Sequence, residues 1–144
     1  MKTIGICYLG QHVKTGDFVL LQFARDHLAF VMIGPAVLIP QQKIEVEGLA
    51  MVLSYLRNTA KVDSKIISES QKIPKEEFLK LKRNHLLVEL ALLHDTSEIM
   101  KVIPLHGKHG LRFDMNEDEI RKVPLPRTNE EFISNLREAL EIAS

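Results

Sequence analysis

Two histidines come closest to a chemical constellation in this sequence. His106 and His109 flank Gly107 and Lys108 in HGKHG, with Asp114 and Glu117 a few residues on. Imidazoles and carboxylates near a turn are the donors a divalent metal takes, but a zinc site needs three or four ligands at fixed spacing. This stretch has no cysteine partner, no helix to hold a spacing, and a lysine between the histidines. A solvated hairpin turn accounts for the same residues. Histidine also serves as a general acid or base when a neighbouring group orients it, and the sequence names no such neighbour. His12, His27, His85 and His94 lie beside turns and read as surface or edge positions.

Cys7 is the single cysteine and sits in an apolar run. A nucleophilic cysteine needs a lowered pKa and a base. Neither is signalled, so Cys7 reads as a buried structural thiol. YLGQHVKTGD carries Gly10, Gly16 and Lys14-Thr15. It lacks the Gly-Lys-Ser/Thr order that cradles phosphates, and it reads as a turn. No metal and no cofactor is expected.

The charged residues cluster twice. DMNEDE groups Asp114, Glu117, Asp118 and Glu119, and NEE adds Glu130 and Glu131. Such a cluster can meet a basic partner, while a solvated turn followed by a helix start explains the same composition. The basic counterpart holds Lys72, Lys75, Lys80, Lys82 and Arg83. It could meet a phosphate backbone. Only Phe78 offers a ring there and the chain has no tryptophan, whereas single-strand binders stack bases on several rings.

Elements must position these groups. A chain of 144 residues with 45% hydrophobic composition reads as one domain, 1–144, able to bury a core without disulfides. Lys plus Arg and Asp plus Glu both number 19, which argues against a protein built to coat nucleic acid. LAFVMIGPAVLIP, residues 28–40, is the longest apolar run. It is shorter than the roughly 20 residues a membrane helix needs and is broken by Gly34-Pro35. MKTIGICYLG lacks the pattern of a signal peptide. A soluble cytoplasmic protein is expected, with no membrane association.

Apolar runs bounded by turn residues predict strands at Thr3–Leu9, Phe18–Ala24, Leu28–Ile33 and Ala36–Ile39, with Gly34-Pro35 dividing the last two. Val46, Leu49, Val52, Leu53 and Leu56 recur at helical spacing and predict a helix over Ile44–Leu56, weakened by Gly48. A polar loop follows, 58–72, with a short strand allowed at Val62–Ile67. Pro74 then opens a short helix through Lys82. Strands are predicted again at His85–Leu93, Glu98–Leu105, Leu111–Met115 and Ile120–Leu125. A capping box, Thr128 to Glu131, starts the closing helix. Its stripe is Phe132, Ile133, Leu136, Ala139, Leu140 and Ala143. The expected fold is α+β. Two similar four-strand-plus-helix halves, about 1–57 and 73–144, form two mainly antiparallel sheets packed on each other, with a short extra helix between them. One sheet with a bare apolar face needs such a cover.

LIPQQKIEVEGLAMVLSYLRNT (Leu38–Thr59) and IRKVPLPRTNEEFISNLREALEIAS (Ile120–Ser144) both pass from an apolar strand through a polar spacer into an amphipathic helix. FLKLKRNHLLVELALL (Phe78–Leu93) turns from a basic stretch into a strand. This pattern resembles the immunity proteins of bacterial contact-dependent growth inhibition (CDI) systems. The family's acidic-Leu-Gly step is displaced to Glu47-Gly48-Leu49 in the first stretch and replaced by Glu131-Phe132-Ile133-Ser134 in the second.

The resemblance implies a non-enzymatic antitoxin. It would bind the toxic C-terminal domain, often a nuclease, of a cognate effector. It implies no catalytic residues. Nuclease surfaces are usually basic, so the expected contact set is Asp114, Glu117, Asp118 and Glu119. One alternative is a nucleic-acid-binding module using Lys72 to Arg83. Another is a small hydrolase or nuclease centred on His106 and His109.

Overall fold

In the computed structural model, residues 2–26, 29–59, 71–107, 110 and 112–143 are described. His27, Leu28, the strand expected at Val62–Ile67, His109 and Leu111 lie outside them. Three strands, β1 (Lys2–His12), β2 (Phe18–Asp26) and β3 (Ala29–Ile39), lead into helix α1 (Gln41–Arg57). A short helix α2 (Lys75–Asn84) follows. Three more strands, β4 (His85–His94), β5 (Glu98–Pro104) and β6 (Arg121–Pro124), lead into α3 (Asn129–Ile142).

Among the described residues, six strands form one antiparallel sheet in the order β3-β2-β1-β4-β5-β6. The α+β class and the repetition of strands before a helix hold. The expectation of two packed sheets of four strands is corrected in two respects. The halves meet edge to edge, with Cys7 opposite Leu90 on β1 and β4. Each half also supplies three strands. Pairing of the two inner strands joins the halves into one sheet, and helices then cover its apolar face without a second sheet.

The missing fourth strands have local causes. Gly34-Pro35 does not divide a strand. It lies within β3, as a cis peptide, where the pairing with β2 shifts between Leu20 and Gln22. β3 is an edge strand, and an edge or a bulge is where proline is tolerated. The Gln22 amide donates to the Pro35 carbonyl at 3.0 Å. In the second half, residues 112–115 make no strand, and only Asp114 bridges to His106. Phe113 instead turns inward against Tyr8 and Phe78.

α1 and α3 cover one face. The core there draws on both halves: Leu9, Leu20 and Ile39 from the first, Leu90, Leu92 and Met100 from the second, closed by Val52, Leu56, Phe132 and Leu136. The buried positions of α1 are Ile44, Gly48, Val52 and Leu56, and Val46 is 70% exposed. The expected stripe through Val46 is therefore rotated toward an i, i+4 ridge that includes the glycine. Gly48 is small because α3 lies against it. A Cβ there would stand 3.1 Å from the Phe132 ring and 3.5 Å from the Asn129 side chain. That side chain accepts from the Leu49 N–H at 2.8 Å and donates to the Glu45 carbonyl, so it enters the backbone ladder of α1.

The opposite face carries Val19 and Leu21 under Phe78 of α2, then Leu87, Ile103 and Leu105. α3 starts as predicted, with the Thr128 hydroxyl accepting the Glu131 N–H at 3.2 Å. The Glu131 carboxylate, however, accepts the Arg127 N–H rather than that of Thr128. No helix among the described residues is long and apolar enough to cross a membrane.

Candidate functional site

The expected contact residues lie in the connection between β5 and β6, residues 105–120. Leu105 continues the pairing of β5, its N–H donating to the Leu87 carbonyl at 3.0 Å. His106 and Asp114 then exchange backbone hydrogen bonds of 3.0 and 2.8 Å, which close the loop on itself. Glu117–Glu119 form a single 3-10 turn, and Ile120 returns to the apolar cluster of Leu87 and Ile103.

Two anchors hold the loop against the body. Phe113 packs edge-on against Tyr8 and Phe78, with centroids 5.5 and 6.0 Å away. Lys82, on the buried side of α2 beside Phe78, is only 2% exposed. Its Nζ donates to the carbonyls of Gly110 and Arg112, both at 2.8 Å, and lies 4.1 Å from the Phe113 ring centroid. Burial pulls the Lys82 pKa below the ordinary lysine value, and the Asp114 charge works the other way. An ammonium out of water is costly unless its donors are satisfied. Here two carbonyls and a ring face serve that purpose.

The acidic set divides. The Glu119 carboxylate meets His106 Nε2 at 2.6 Å and accepts from the Asn116 amide at 2.9 Å on the same oxygen. It is half-buried and works inside the loop. Asp114, Glu117 and Asp118 are exposed. The His106–Glu119 pair supplies the carboxylate neighbour that the sequence did not reveal for His106. Among the described residues, no group of three or more histidine, cysteine or acidic side chains could hold a metal ion.

The basic stretch does not present a continuous row of cations. Lys75, Lys80 and Arg83 are exposed, whereas Lys82 is the loop anchor. Cys7 is buried, and burial with the charge of Glu89 pushes its thiol up to about 12, so it stays protonated at neutral pH.

Sequence reading missed a second pair. His12 ends β1, His85 begins β4, and the two stand directly opposite in the sheet. Their rings meet at 5.0 Å between centroids, nearly perpendicular. They line a cavity of about 370 Å³ with Thr15, Asp17, Phe18, Leu38, Ile39 and Pro40. Burial lowers the His85 pKa below the ordinary histidine value, its hydrogen bond to the Leu81 carbonyl opposes this, and the charge of His12 adds to the lowering. Local pattern could not reveal the pair, because it arises from the pairing of distant strands. Compared with known proteins, the chain matches no family model, no curated protein and no solved structure.

Proposed function

We propose that this protein binds and neutralises the toxic C-terminal domain, a nuclease, of a cognate CDI effector, acting in the cytoplasm of the producing cell like the immunity proteins it resembles. The observation that carries the reading is the held acidic loop. Lys82, Phe113 and the Glu119–His106 pair hold the described residues of this loop, so Asp114, Glu117 and Asp118 face outward from a surface that needs little ordering on binding. Preorganisation lowers the entropic cost of association. A compact anionic patch steers a basic partner and raises its association rate.

Growth rescue tests this. Co-expression with the toxin domain encoded beside its gene should restore growth. Glu117→Lys with Asp118→Lys should slow association about tenfold at low salt, with the difference shrinking as salt screens it. Glu119 is left in place in that variant because it holds His106. Failure of the wild-type protein to rescue growth would end the reading.

The alternative, nucleic-acid binding through Lys72 to Arg83, loses Lys82 to the interior and keeps Lys75, Lys80 and Arg83. Binding of nucleic acid with a steep salt dependence and no protein partner would favour it.

A further inference from the structure

The cavity at His12 and His85 has a hydrogen-bonding polarity that its backbone bonds dictate. His12 Nδ1 accepts the N–H groups of Lys14 and Thr15 at 3.1 and 3.2 Å. A nitrogen that accepts from two backbone donors carries no proton, so the neutral ring holds its proton on Nε2. His85 has the opposite arrangement. Its Nδ1 stands 2.8 Å from the Leu81 carbonyl, which can only accept, so Nδ1 is the donor and Nε2 keeps a lone pair. The two rings, 5.0 Å apart between centroids, thus carry one N–H donor and one acceptor between them.

The other polar groups of the cavity are partly committed to the turn. One Asp17 carboxylate oxygen accepts the Gln41 N–H at 3.0 Å, at the start of α1, and the Thr15 hydroxyl accepts the Asp17 N–H at 3.2 Å. The walls are apolar. Phe18 and Ile39 are buried at 6% and 2% exposure, while Leu38 stands 78% exposed. A volume of about 370 Å³ falls in the range of small-molecule sites, which combine apolar walls with few polar groups.

We propose that this cavity is a binding site for a small neutral molecule with a hydroxyl group on an apolar body, an alcohol or a phenol. The hydroxyl oxygen accepts from His12 Nε2–H, and its proton goes to the lone pair of His85 Nε2. An anion is disfavoured by the His85 lone pair and the Asp17 carboxylate. A metal ion is disfavoured because His12 Nε2 carries the proton a metal would have to displace. The cavity's lining includes no residue of the acidic loop, and the proposal does not rest on the antitoxin reading.

The test is long-range 1H–15N NMR of the histidine rings in the full chain, titrated with p-cresol, toluene and 4-methylbenzoate. The free protein should show His12 as the Nε2–H tautomer and His85 as the Nδ1–H tautomer. p-Cresol should shift both Nε2 signals saturably. Toluene and 4-methylbenzoate should bind at least about tenfold more weakly, since neither completes both hydrogen bonds. His85→Phe, which keeps a ring and removes the acceptor, should cost p-cresol about tenfold in affinity. Any of three results overturns the proposal: equal binding of toluene or 4-methylbenzoate, no saturable shift below about 10 mM, or a reversed tautomer at either ring. The tautomer result needs only the wild-type protein, so the proposal stays testable if His85→Phe does not fold.

Discussion

The two halves of the molecule share an order of elements and differ in where they place their residues. In the first half, β1, β2 and β3 run eleven, nine and eleven residues, and only residues 27–28 separate the last two. In the second, β4, β5 and β6 run ten, seven and four, and residues 105–120 separate the last two. The second half gives up strand pairing at its outer edge and gains a loop that carries four of the acidic residues. A connection tied down by Lys82 and Phe113 can change its outer residues without disturbing the core. The first half has no equivalent freedom, because its helix presses closely on β1. On the proposed antitoxin reading, the second half bears the contact surface.

Substitutions should separate these roles by size of effect. The largest effect should come at Gly5, where β1 passes under the end of α1. A Cβ there would stand 2.0 Å from the Leu56 carbonyl oxygen. Gly5→Ala should cost about 3 kcal/mol in urea unfolding, because the clash is with backbone that cannot turn away. Near-wild-type stability would mean that α1 is not seated so closely.

Lys82→Met should cost about 2 kcal/mol, since it leaves the Gly110 and Arg112 carbonyls without their donor. Its distinctive mark is local. Hydrogen exchange should quicken across 105–120 and stay unchanged in α1 and α3. A uniform loss of protection would mean that the loop is not held separately from the scaffold.

Glu89 lies in the sheet's centre, opposite Tyr8. Burial raises its pKa, and Lys101 partly offsets the rise. A carboxyl whose folded pKa lies above its unfolded value loses stability as pH rises through that interval, and the deficit persists above it. Glu89→Gln should therefore raise Tm by about 2 °C at pH 7 and leave it unchanged at pH 3. The same rise at both pH values would assign the effect to packing.

The smallest effect on folding should come from the exposed acidic turn. Asp118→Lys should change stability by less than about 0.5 kcal/mol in the same urea assay, because the side chain is exposed. A larger change would mean that the acidic turn also holds the fold.

Much of this organisation was legible in the sequence where local pattern decides it. The unbroken run His85–Leu93 and the Thr128 cap mark β4 and the start of α3, because periodicity and capping are properties of neighbouring residues. Gly34-Pro35 misled because the rule against proline in strands weakens at an edge, and only the sheet order says which strand is the edge. Val46 was drawn into the helix stripe because a glycine shows no hydrophobicity, although Gly48 is where α3 makes contact. Lys82 could not be read as an anchor, since the carbonyls that justify its burial come from residues 110 and 112. The acidic residues were visible as a cluster. The division between inward Glu119 and outward Asp114, Glu117 and Asp118 depends on His106, and no spacing rule predicts that. One sheet and two sheets fit the same strands, and the β1–β4 pairing that distinguishes them joins distant residues.

The most direct test of the antitoxin account is affinity capture from the native host with two baits, the wild-type protein and the Glu117→Lys, Asp118→Lys variant, with both shown folded by circular dichroism. The account predicts that the wild-type bait recovers, at stoichiometric ratio, a toxin C-terminal fragment encoded beside its gene, and that the variant recovers much less of it. Nucleic acid that salt removes, with no protein partner, would contradict the account. Equal recovery of the toxin fragment by both baits would contradict the placement of its surface on the acidic loop.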